Sequence, residues 1–286
     1  MKKTTAIIFA LAALVLATTS FVGCKKKDNA DGKIVIRAAT KGTAKPYILR
    51  DEENNLDGYD IAVFRAVFDR LPQYKVDLII SADALTGLLS GQYDISVNNW
   101  SYNDKRAESY YYSYPYDTII YDFIQRKGDK PLVSFKDAAD RGYRYEGQAG
   151  NNATNAIERW NENHPDNQIK LTYSEAGGVV YYQHILDGVA DFHIDDHPIV
   201  LVNVENFGLD DFIYPNIPQE AVVRDITDSL YSFFLFPKDE KGAALREDVN
   251  KALKELHDDG TLRELSLKYF KQDQVPPADR YVKPIN

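Results

Sequence analysis

Cysteine is nearly absent: Cys24 is the only one in 286 residues. A lone thiol excludes a disulfide scaffold and any zinc or iron–sulfur centre built on several cysteines. Basic residues are also in deficit, with 34 Lys and Arg against 43 Asp and Glu and a formal net charge of −9. An acidic exterior of this kind argues against nucleic acid as a partner. After the apolar run Ala6 to Ala17 there is no second long hydrophobic stretch, so nothing further along reads as a membrane-spanning helix. Internal repeats are missing too, which sets aside solenoid architectures. What remains is a chain that is 44% hydrophobic, the composition of a globular protein.

The N-terminus carries Lys2 and Lys3 and then the run Ala6 to Ala17, the layout of a targeting segment too short to span a bilayer. It ends in Phe21-Val22-Gly23-Cys24, which resembles the lipobox of bacterial lipoproteins, with Phe21 where leucine is usual. The resemblance implies a signal peptide over residues 1–23 and a lipid anchor such as palmitate on Cys24. Residues 24–32, rich in lysine and polar side chains, read as a tether.

From Lys33 onward, short apolar runs alternate with amphipathic stretches, the rhythm of an α/β protein. Ile34 to Ala39 is a strand candidate. Tyr59 to Leu71 has helical spacing, Tyr74 to Ile80 is strand-like, Ala84 to Leu89 reads as a helix and Tyr93 to Val97 as a strand. A second unit starts near Tyr143, with a helix Ala153 to Asn161 capped by Asn151 or Asn152. Strand Ile169 to Tyr173, helix Val179 to Leu186, strand Ala190 to Ile194 and helix Pro198 to Phe207 follow. Extended segments Ile119 to Arg126 and Leu230 to Phe236 flank this unit, and a helix Gly242 to His257 comes after it. The economical arrangement is a chain that leaves one lobe, builds another and returns, with two hinge strands. Lobe one then covers 33–120 plus 232–270 and lobe two covers 121–231. Residues 271–286, with three prolines, are expected to be a loosely packed C-terminal extension.

Five segments together resemble the bacterial extracellular solute-binding proteins of family 3. They are Gly58-Tyr59-Asp60-Ile61; Leu88 to Asp94, with Gly91; and Ser101 to Arg106 followed by Ser113-Tyr114-Pro115-Tyr116. The others are Ile185 to Asp196, with Gly188 and Asp191, and Val249 to Phe270, with Gly260-Thr261-Leu262. They occur in the family's order across nearly the whole mature chain. The resemblance implies a two-lobed α/β periplasmic-binding-protein fold of type II, the Venus-flytrap arrangement, that closes on a small solute. It further implies a receptor of an ABC importer for amino acids, not an enzyme, held outside the cytoplasm as a membrane-anchored monomer. Its partners are an amino acid, a membrane permease and the lipid, and no cofactor is expected.

An α-amino acid needs donors for its carboxylate and a negative acceptor for its ammonium. By resemblance Arg106 takes the carboxylate, in a role suited to its planar fork, and Asn99 and Ser101 add donors. Asp196 takes the ammonium, with neighbouring Asp195 as the alternative. Asn151 and Asn152 stand at a helix N-terminus where the family has threonines. Gln148, Lys41 and Trp100 complete the expected ligand shell. Lys41 falls where receptors for basic amino acids carry an acidic residue, and Ala44 and Ser81 fall where many members have aromatic rings. The tyrosines from Tyr110 to Tyr116 read as packing. His193 and His197 have no third ligand near them in sequence, so no metal site is expected. A dehydratase on the same fold would need a positioned general acid, and no carboxylate is singled out for that role. A ligand-sensing module would use the same closure and stays open as an alternative.

Overall fold

Two separate mixed sheets divide the chain in a computed structural model, which describes residues 32–42, 44–227 and 229–286. The signal segment and Cys24 lie outside the described residues. In the first sheet, Ile34–Thr40 runs parallel between Tyr74–Ile80 and Ile95–Ser101. Tyr231–Pro237 returns antiparallel against Ile95–Ser101 and pairs with Tyr110–Tyr112 and Asp117–Thr118 as well. The positions explain the sequences. Tyr74–Ile80 alternates half-buried and exposed residues as an edge strand does, whereas Ile95–Ser101 is buried almost throughout and sits centrally.

The helix Tyr59–Asp69 turns Tyr59, Val63, Phe64 and Val67 inward and packs on the helices Glu240–Asp258 and Thr261–Phe270. Its start depends on Gly58, whose φ of 105° suits glycine alone and where a Cβ would lie 2.4 Å from the Tyr47 carbonyl oxygen. That close approach lets the amides of Tyr59 and Asp60 donate to the carbonyls of Pro46 and Tyr47 at 3.1 and 2.9 Å. Tyr47 and Asp60 are thereby fixed beneath the cleft.

The second sheet has the order Lys170–Tyr173, Arg144–Gly147, Phe192–Asp196, Tyr121–Arg126, Phe212–Ile213. The first three strands are parallel, and the last two join antiparallel. Phe123, Phe135, Tyr145, Ile157 and Phe192 form a core distinct from that of the first lobe. The expected hinge strands prove to be sheet strands of opposite lobes, Tyr121–Arg126 and Tyr231–Pro237. Only the short links before them pass between lobes, and these links are tied by the Ile119 amide donating to the Leu230 carbonyl at 2.6 Å.

The expectation of a loosely packed tail is corrected. Tyr281 is 2% exposed and belongs to the first lobe's core, with its ring centroid 4.3 Å from His257 and 5.8 Å from Tyr114. The terminal Asn286 accepts from the Tyr112 amide at 3.0 Å and donates to the Tyr110 carbonyl at 2.9 Å. Prolines signalled an irregular path, and an irregular path can still be a buried one. The helix expected from Gly242 begins at Glu240, because Asp239 caps it through the Gly242 amide at 2.7 Å.

Candidate functional site

Between the lobes lies a cavity of about 290 Å³, at the carboxyl ends of Ile95–Ser101 and Phe192–Asp196. This is where open α/β sheets place their ligands. From the first lobe Asn99, Trp100, Ser101 and Arg106 line it; from the second come Asn151, Asn152, Asp195 and Asp196. Seven of the nine expected ligand-shell residues therefore meet at one cavity. Lys41 and Gln148 do not line it. Both are exposed, the Gln148 amide donates to Glu175 at 3.1 Å, and the Lys41 ammonium stands 5.3 Å from the Trp100 ring centroid.

Local capping positions the polar groups. Asn103 accepts from the Arg106 amide at 2.7 Å, opening the short helix Asp104–Ser109 and turning Arg106 back over the strand end. Its guanidinium donates to the Ser101 carbonyl at 2.5 Å and lies 4.9 Å above the Trp100 ring, held on two sides. On the facing lobe, Asn151 caps the helix Asn152–Asn163 by accepting from the Ala153 amide at 2.9 Å. Asn152 then reaches across to donate to the Ser101 hydroxyl at 2.5 Å, and Asn99 donates to Asp196 at 3.4 Å. These bonds between lobes describe a closed cleft.

Strand alternation separates the two candidate aspartates. Asp195 accepts from the Tyr182 hydroxyl at 3.1 Å within its own lobe, whereas Asp196 meets Asn99 from the other lobe. Burial, and then the neighbouring Asp195, push the Asp196 carboxyl up to about 8. Burial also raises Asp195 to about 7. Beneath the cleft, burial lifts Asp60 to about 7 even though the Asn99 amide donates to it at 2.5 Å. Asn99 makes that bond at a φ of 25°, a left-handed value that asparagine tolerates better than most residues. The site thus holds one cationic fork and a set of carboxyls short of positive partners.

Sequence reasoning named Asp60 only as part of a motif and missed Tyr47, Asn98 and Tyr121. Tyr121 and Asn98 line the cavity, and Asp196 raises the fully buried Tyr47 hydroxyl further after burial itself. The Gly58-Tyr59-Asp60 run was the available signal for Asp60; Tyr47 had none. His193 is stacked between Tyr145 and Tyr181, at 5.5 and 4.5 Å, and burial lowers it to about 4. His197 instead faces Asp122 at 2.6 Å. Among the described residues no cluster of three or more His, Cys, Asp or Glu is arranged to hold a metal.

Residues 36–272 match the family model of the bacterial extracellular solute-binding proteins, family 3. The chain belongs to this family. Among relatives, the probable amino-acid-binding protein YxeM of Bacillus subtilis (strain 168) is 26% identical, over 96% of this chain and 97% of its own. The L-cystine-binding protein TcyK of the same organism is 24% identical, over 96% and 98%. A structure reported with work on glutathione import via GshT and the cystine ABC importer TcyBC of Streptococcus mutans is 29% identical. It has a TM-score of 0.74 and covers 87% of this chain and 99% of that one. This family 3 protein accordingly has the two-lobed type II fold, and its named relatives are binding proteins rather than enzymes.

The raised carboxyls give a stability profile with a definite sign. A carboxyl near 3.9 when unfolded and raised to about 7 or 8 when folded binds more protons in the folded state, so its stabilisation is lost as pH climbs through that window. Asp191 and Asp259, lowered to about 2 by their arginine partners, act only in the opposite, acid range. Urea unfolding of the ligand-free protein should therefore show a loss on the order of 2 kcal/mol for each of these carboxyls between pH 5 and pH 8, so that Asp60→Asn loses less than wild type. Equal stability at the two pH values would count against the buried-carboxyl description.

Proposed function

We propose that this protein is the extracytoplasmic receptor of an ABC importer and closes its lobes on an α-amino acid. One observation carries the reading: Arg106 and Asp196, on opposite lobes, line the same small cavity. A carboxylate and an ammonium on one carbon need such a pair, and only closure brings the two together. The cavity lies at the small end of the range for ligand pockets, roughly 300–1,000 Å³. Relatives named as amino-acid-binding and L-cystine-binding proteins support the same class.

The side chain of the ligand is inferred from charge. Arg106 lies over Trp100 at 4.9 Å inside the cavity, and Lys41, outside the lining, stands 5.3 Å from the same ring, so the approach along Trp100 carries two positive charges. A cationic side chain would meet repulsion there, and a polar or acidic one, cystine and glutamate included, would not. Anchorage follows the lipobox-like Phe21-Val22-Gly23-Cys24, with the lipid on Cys24 and a membrane permease as partner.

Arg106→Ala should weaken amino-acid binding by about 30- to 4000-fold in calorimetry, the cost of removing one partner from a buried charge pair of about 2–5 kcal/mol. The wild type should rank cystine, glutamate and glutamine above lysine and arginine. Unchanged affinity in the variant, or arginine as the tightest ligand, would contradict the assignment. Cys24→Ser should release the protein from membranes with ligand binding intact, and persistent detergent-phase partitioning would remove the lipid from the account.

A further inference from the structure

Buried polar groups without hydrogen bonds gather behind the links that join the lobes. Both carboxylate oxygens of Asp117, the hydroxyls of Ser229, Ser232 and Tyr281 and both amide atoms of Gln274 are of this kind among the described residues. Asp117 and Ser232 are 0% exposed and Gln274 is 2% exposed, so bulk water does not compensate. Buried polar atoms are rarely left unpaired, and a group of them calls for a physical explanation.

Secondary structure brings Asp117 and Ser232 together and sets the Gln274 backbone alongside them. Asp117 and Ser232 are directly opposed in an antiparallel pair, which puts both side chains on one face with Cβ atoms about 5 Å apart. The Thr118 amide donates to the Gln274 carbonyl at 2.7 Å, setting Gln274 beside the same strand. Tyr281 is near enough that Asp117 raises its hydroxyl. The Ser232 hydroxyl and the Thr118 amide favour the charged form of Asp117 without meeting hydrogen-bond geometry at its side-chain oxygens. Burial and the charges of Asp60 and Asp196 outweigh them and push it well up. No basic side chain among the described residues pairs with it. The groups on offer are one carboxylate, hydroxyls and an amide oxygen, a hard oxygen set carrying one negative charge.

We propose that Asp117, Ser232 and Gln274 hold a monovalent cation, sodium or potassium, behind the interlobe links. Such an ion joins three pieces of chain: the outgoing link after Asp117, the returning strand Tyr231–Pro237 and the C-terminal tail. It neutralises Asp117 and satisfies the side-chain amide oxygen of Gln274 and the Ser232 hydroxyl together. The proposal does not depend on which solute fills the cleft.

The test is thermal unfolding of the full chain in sodium, potassium or choline chloride at equal ionic strength. Wild type should melt about 5 °C higher in the preferred alkali salt than in choline, and the larger of the two shifts identifies the ion. Asp117→Asn should melt alike in all three. Because that variant could fail to fold, wild-type crystals soaked in thallium(I) acetate give an independent readout, an anomalous peak within about 3 Å of the Asp117 carboxylate. Equal melting of wild type in the three salts, or no peak at Asp117, would overturn the proposal in favour of a protonated carboxyl.

Discussion

The closed cleft depends on one constraint: a half-buried carboxylate, Asp196, is held at a strand end beside Asp195, with no basic side chain paired to it among the described residues. The hydrogen bond it accepts across the lobes from Asn99, at 3.4 Å, is too long to be strong. A buried carboxylate in that position is costly as an anion and inexpensive as an acid, which is why its pKa rises to about 8. The ammonium of the proposed amino-acid ligand would reverse the balance. Under the proposed function the ligand supplies what the protein lacks, and closure would gain its driving force from neutralising a charge that the protein alone leaves uncompensated.

The rest of the molecule sets the geometry around that carboxylate. Gly58 lets the Tyr59–Asp69 helix start hard against Tyr47, which fixes the floor. Asn103 and Asn151 cap short segments so that Arg106 and Asn152 face the same space from opposite sides. The links between lobes are short and joined by the Ile119–Leu230 hydrogen bond, so the lobes can rotate while the strands beyond them stay paired in their own sheets. The C-terminal tail braces the first lobe at both ends of its path, through Gln274 at the link and Asn286 at the strand Tyr110–Tyr112.

Much of this was legible in the sequence because it rests on local patterns. Helical spacing from Tyr59 and the apolar runs at Ile34 and Tyr231 gave an α/β chain that leaves one lobe and returns, and the family resemblance carried by the segments Ser101 to Arg106 and Ile185 to Asp196 implied the opposed charges. Features set by packing between distant segments were not legible. Tyr47 sits beneath the cleft where Gly58 permits a close backbone approach, and Tyr281 is buried against His257 and Tyr114, which the fold brings to it from distant segments. Lys41 illustrates the reverse: its position in the sequence suggested the ligand shell, yet its side chain stands over Trp100 outside the cavity lining.

The central claim, that Asp196 receives the ligand's ammonium, is tested most directly by NMR titration of its side-chain carboxyl carbon. The signal is assigned by its absence in Asp196→Asn. Without ligand the carboxyl should titrate near 8. Saturation with the bound amino acid should drop that value by several units, because the ammonium stabilises the carboxylate. A midpoint unmoved by ligand would contradict the account.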